Sequence, residues 1–174
     1  MHADPVLLEF HDYFLALTSA CAALLGLLFV ALSIHLRTLS VIENTELRAV
    51  AQATFIQYGD TLAMSAIGLL PITIQAYGAA SLAINLGLMV VGSLGVLRPG
   101  LRGTGVGYSR NAFTVRMAIG YGGAIPSFAG MVLLILGQEW AMYLVAAALL
   151  FYVMSSTYQA WELVFKAADA AAAR

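Results

Sequence analysis

The sequence predicts an all-α, polytopic membrane bundle of five transmembrane helices, with the N-terminus outside and the C-terminus in the cytoplasm. Three observations predict it. Hydrophobic residues make up 61% of the 174 residues and charged residues 10%, against about 45–50% and about 25% in soluble domains. A soluble chain of this size has too small an interior to hide that much apolar surface. Formal charges gather into short clusters separated by apolar runs of membrane-spanning length. The eight Lys and Arg residues all fall on one side of a five-span path.

The charge-free runs place the helices. Between Asp12 and Arg37, residues 13–36 carry no formal charge and form the first span. The stretch between Arg48 and Arg98, residues 49–97, contains one charge, Asp60. As a single helix it would be roughly 74 Å long, at 1.5 Å per residue. That is more than twice a hydrocarbon core of about 30 Å, so it must fold back. Pro71, in LLPITIQAYG, is the breaker, because it lacks a donor and restricts its predecessor. Spans at 47–70 and 75–97 follow. Two more charge-free runs, 117–138 and 140–161, give spans at 112–136 and 139–166. The strands of a membrane barrel would alternate polar and apolar residues, and LLGLLFVAL does not. The segment RPGLRGTGVGYSRN (98–111) reads as a flexible polar loop. Its GxG follows no strand and is no nucleotide fingerprint.

Orientation follows from the basic residues. Arg37 and Arg48 bracket the first loop; Arg98, Arg102 and Arg110 lie in the third, with Arg116 just beyond; Lys166 and Arg174 are C-terminal. The N-terminal segment, the hairpin between spans two and three, and the turn between spans four and five hold none. Tyr13, Tyr77, Trp140 and Tyr143 would anchor the outer boundary, and Tyr158 and Trp161 the inner one. The acidic N-terminus lacks the positive region of a cleavable signal peptide, so the first span is expected to be retained.

Small residues allow close backbone approach in lipid. Ser19, Ala22, Ala23 and Gly26 mark the first span, Gly78, Ser81, Ala83, Gly87 and Gly92 the third, and Gly120, Gly122, Gly123, Ser127 and Gly130 the fourth. They serve packing within the chain, between copies, or both. Pro126 is expected to kink the fourth span.

Asp60 is the most informative residue. It lies about 15 Å from the outer end of its span by residue count, near the midplane, where an isolated carboxylate is costly and takes a partner. Asn85, at similar depth on the next span, is that partner, and Gln57, one turn away, extends the polar stripe. Such a stripe suits an ion or proton path; a protonated Asp60 that only fixes helix packing is the competing reading. Tyr152, Ser155, Gln159, Glu162 and Lys166 recur at three and four residues on the fifth span and share a face. They line a second part of the path, or mark the end of a helix emerging into water. Arg116, Glu162 and His35 lie at one level and are a candidate ion-paired group. Glu9 and Asp12 form a candidate acidic outer mouth, which around an oligomer would concentrate cations.

Other chemistry is not indicated. A net charge of −1 gives no footprint for nucleic acid. A single cysteine, Cys21, excludes an internal disulfide and a Cys-based zinc cluster. No HExxH, GxSxG or Walker A motif appears, and no enzyme activity, cofactor or metal is expected. The first span, FLALTSACAALLGLLFVALSIHL, resembles the opening helix of small multi-span bacterial inner-membrane proteins, a largely uncharacterised group. The resemblance implies an inner-membrane location and carries no activity or site residue. Two functions remain open. One is an oligomeric protein conducting or translocating small ions or protons along a path that includes Asp60. The other is a non-catalytic accessory or regulatory subunit of a larger membrane complex. The expected partners are the lipid bilayer, copies of the chain, and that complex.

Overall fold

A computed structural model describes residues 4–34, 45–101 and 110–172, with side chains described for 4–34, 51–90 and 123–165. Among the described residues the chain is helical throughout, without strands. A short helix α1 (Pro5–Glu9) precedes five long ones: α2 (His11–Ile34), α3 (Thr45–Gly68), α4 (Ile74–Leu101), α5 (Arg110–Ile135) and α6 (Ala141–Ala172). Two segments, His11–Ile34 and Ala141–Phe165, are long and apolar enough to cross a membrane; Ile74–Val90 and Gly123–Ile135 are shorter apolar stretches.

α3, α4, α5 and α6 close a ring in that order, with α6 packed back on α3; α2 lies outside against α3 and touches α6 more lightly. Glycines let the ring close tightly. A Cβ on Gly78 of α4 would meet the Met131 carbonyl of α5 at 2.9 Å, and one on Gly130 of α5 would meet Val145 of α6 at 2.7 Å. Gly26, Gly59 and Gly87 face open space instead. The small-residue sets thus divide between contacts inside the ring and the outer surface.

The turns follow local chemistry. α3 ends at Gly68 and α4 begins at Ile74, with Pro71 in the exposed turn between them. Thr73 caps α4 by accepting from the Ala76 N–H. α5 ends in a Schellman motif, in which the Gln138 N–H bonds the Leu133 carbonyl and the Gly137 N–H bonds Leu134, both at 2.9 Å. Gly137 supplies the positive φ, 79°, that this motif requires.

The ends of the elements differ from the sequence expectation in three places. Asp4 caps α1 through Val6, and Pro5 opens it, so helix begins before residue 13. Asp4 also accepts from the Ile74 N–H of α4 at 3.2 Å, which ties the N-terminus to the hairpin. α4 runs through Pro99 to Leu101 and α5 starts at Arg110, so the expected 98–111 loop is shortened. A proline in the last turn forfeits a single ladder bond. α6 reaches Ala172 rather than 166, carried by an alanine-rich tail of high helix propensity. α5 continues through Pro126.

The mainly apolar interior also holds polar side chains. The buried polar residues include Thr54, Asp60, Thr61, Ser65, Ser81, Asn85, Ser127 and Ser156. Large apolar side chains such as Leu27, Phe29, Met89, Phe151, Met154 and Trp161 are exposed.

Candidate functional site

The buried centre of the ring is built around Asp60, which is 9% exposed. The Asn85 amide Nδ2 donates to Asp60 Oδ2 at 3.0 Å, so the expected contact between these two side chains is present. The short turn between α3 and α4 brings residues at similar distance from it to the same level. Tyr152 of α6 lies beside Asn85 and Ser127 of α5 and within electrostatic range of Asp60. Gly123 makes room for that phenol: a Cβ there would sit 2.7 Å from the Tyr152 ring. Tyr77, Ser81 and Asn85, four residues apart on α4, share one face. All four ring helices therefore contribute a polar side chain to one interior.

This interior is unevenly satisfied. Asp60 Oδ1 and the hydroxyls of Tyr77, Ser81 and Ser127 are buried without a hydrogen-bond partner among the described residues. Buried polar atoms are almost always paired, so three such hydroxyls in one interior with a half-satisfied carboxylate mark this place apart from ordinary helix packing.

From Asp60 toward the far end of α6, a polar seam joins α3 to α6. Gln57 Nε2 donates to Ser155 Oγ at 2.9 Å, and Gln159 Nε2 reaches Gln57 Oε1 at 3.4 Å. Tyr58 and Thr157 share a hydroxyl–hydroxyl bond of 2.9 Å. Tyr152, Ser155 and Gln159 thus join Gln57 and Asp60 in one arrangement, with Glu162 partly buried three residues further along α6. In the grouping of Arg116, Glu162 and His35, the side chains of Arg116 and His35 lie outside the described residues, as do those of Lys166 and the other basic residues.

The hairpin end is closed by aromatic rings. Phe14 and Tyr77 are fully buried with centroids 5.5 Å apart. Phe10 and Tyr13 pack on Phe14, Phe10 stacks edge-on against Tyr143 at 5.1 Å, and Tyr13 donates to the Ala146 carbonyl at 2.7 Å. Tyr77, expected as a boundary anchor, is instead part of this plug, because it shares the inward face of α4 with Ser81 and Asn85. Trp140 and Tyr143 are exposed. Glu9 and Asp12 lie outside the plug, both exposed, with Asp12 3.4 Å from His11.

Several residues escaped the sequence reading. Ser81 and Ser127 were grouped there with packing residues, and Tyr58, Thr157 and Asp4 received no role. The four-residue spacing of Tyr77, Ser81 and Asn85 was the available signal for α4. Nothing local distinguishes Ser127.

The donors at the centre are oxygens and one amide, a set that suits protons, water or hard cations rather than soft metals. In a double-mutant cycle the Asn85–Asp60 bond is expected to contribute about 0.6 kcal/mol, the average such cycles give for interhelical hydrogen bonds of membrane proteins. Unfolding in mixed detergent checks this; a coupling several times larger would mean that the pair shares more than this bond. Comparison with family models, curated proteins and solved structures finds no match to this chain.

Proposed function

We propose that the chain is a five-span inner-membrane protein that moves protons or small cations along a path including Asp60. One observation carries the reading: a carboxylate buried inside a four-helix ring, with orphaned hydroxyls around it and a polar seam leading away through Gln57, Ser155 and Gln159. Burying such a group in a membrane protein is expensive and is most often tied to function. The large apolar side chains on the outer surface support a lipid surround. The aromatic plug makes access one-sided, from the end where α6 carries Glu162. Each chain holds its own centre, and the working form is a homo-oligomer packed through outer faces.

The proposed orientation is N-out and C-in. Arg48, Arg98, Arg110, Arg116 and Lys166 all lie in helix segments at the end away from the α3–α4 hairpin, which supports a cytoplasmic location for that end. A reporter active only in the cytoplasm should work when fused after Arg174 and fail when fused at Gln138. Activity at Gln138 would overturn the orientation.

A second reading, an accessory subunit of a larger membrane complex, is favoured by α2. Its apolar window is 17% buried, against 44% for that of α6, which leaves a broad surface for a foreign helix. Flux of protons and alkali cations in proteoliposomes of the purified chain decides between them. Flux above that of empty vesicles supports translocation, and none under any gradient leaves the accessory reading.

A further inference from the structure

Hydroxyls on a helix have a ready way to satisfy their proton: they donate to a carbonyl one turn back. Ser19, Ser33, Thr61, Ser65 and Ser156 do this at 2.7–3.0 Å. Ser81 and Ser127 do not, although both are fully buried; Ser81 lies instead against the Tyr77 hydroxyl and Ser127 against that of Tyr152. Ser127 lies beside Tyr152, which lies beside Asn85, which bonds Asp60. Ser81 is one turn from Asn85 on the same face of α4. Tyr77 and Tyr152, the neighbours of the two serines, are both within electrostatic range of Asp60, so these hydroxyls and the free Asp60 oxygen belong to one interior shared by α3, α4, α5 and α6.

We propose that this centre binds one alkali cation, with Asp60 Oδ1, Ser81 Oγ, Ser127 Oγ and the Tyr152 hydroxyl as oxygen ligands. The inference deepens the ion-handling reading and rests on it. Asn85 is the positioning residue: its bond to Oδ2 fixes the carboxylate and leaves Oδ1 for the ion.

Charge selects the valence. Asp60 is the single formal charge between Arg48 and Arg98. One monovalent cation makes the centre neutral, whereas a divalent ion would leave a buried net charge, which is costly. Number of acceptors favours a cation over a proton. A proton on Asp60 turns one oxygen into a donor and satisfies one neighbour. A cation is met by several oxygens at once, including hydroxyls that have left their backbone carbonyls.

The test uses the full chain, purified in detergent at fixed pH and constant ionic strength. Sodium, lithium or potassium chloride replaces choline chloride stepwise, and thermal unfolding and calorimetric heats are recorded. Binding to the folded state alone raises the unfolding midpoint with the logarithm of ligand concentration. The expected result is a saturable rise of several degrees with at least one alkali cation and none with choline. Asp60→Asn should abolish that response. Ser127→Ala and Ser81→Ala should each raise the half-saturating concentration on the order of tenfold, while keeping the choline midpoint near wild type. Ser19→Ala, on the outer surface, should change neither.

An identical response to every salt, choline included, overturns the proposal and leaves the interior to bound water. So does an alkali response that persists in Asp60→Asn, because the ion then binds elsewhere. The two levels fail separately. Proton flux that depends on Asp60 without any alkali response removes the cation and keeps the ion-handling reading. Absence of all flux removes that reading, and calorimetry still reports whether a cation binds.

Discussion

Asp60→Asn is expected to abolish the proposed ion flux in proteoliposomes while expression and assembly remain those of wild type. This is the larger of two expected effects, and it follows from what the substitution keeps. Asn has nearly the shape of Asp, and its carbonyl oxygen still accepts the bond that Asn85 donates at 3.0 Å. What is lost is the ability to carry a charge or exchange a proton. Asp60→Ala removes the acceptor as well and leaves the Asn85 amide buried without its partner. Such an orphan costs about 1–3 kcal/mol, so Asp60→Ala is expected to lose flux and also to weaken the fold. The measurement is proton and alkali-cation flux, with oligomeric state followed in the same samples. A protonated Asp that only packs helices predicts the opposite pattern, with Asp60→Asn indistinguishable from wild type. Undiminished flux in an assembled Asp60→Asn protein would remove the main support for translocation.

Phe14→Ala has the largest expected effect on stability. The ring is fully buried between α2, α3 and α4, 5.5 Å from Tyr77 and against Gly68. Truncating a buried Phe to Ala costs about 3–5 kcal/mol. Much of this is lost contact around a void, a loss that does not depend on water outside. Gly68 sharpens the test, because a Cβ there would lie 2.6 Å from the Phe14 ring. Gly68→Ala alone is expected to destabilise. In a Phe14→Ala background it should cost little, since the ring it strikes is gone. A double-mutant cycle on unfolding in detergent reads that coupling. Additive losses would mean that the two residues do not meet. Phe14→Ala also opens the plug. Ser81→Cys should then react with a membrane-impermeant thiol reagent applied from the hairpin side, and should be protected when Phe14 is intact.

Much of the local structure was legible in residue order. Charge-free runs located five long helices, and Pro71 located the hairpin. Counting from that hairpin pairs Asp60 with Asn85 from residue order alone. These inferences work because helix rise is constant and a short turn fixes the register of the two helices it joins. The stripe Tyr152, Ser155, Gln159 and Glu162 was equally readable, since spacing of three and four residues defines a face.

The sequence by itself determined that the chain is helical and where its polar interruptions stand along each helix. Only the tertiary structure decided which of them meet. Ring closure of α6 on α3 joins Gln57 to Ser155 across 98 residues, and no periodicity encodes a contact between helices so far apart. Tyr77 carries the residue type of a boundary anchor, and Ser127 that of a packing residue, yet one plugs the interior and the other opens onto it. The physical reason is that a helix surrounded by apolar groups on every side gives little amphipathic signal. Where the outer surface and the packed interior are both largely apolar, burial depends on which neighbours arrive.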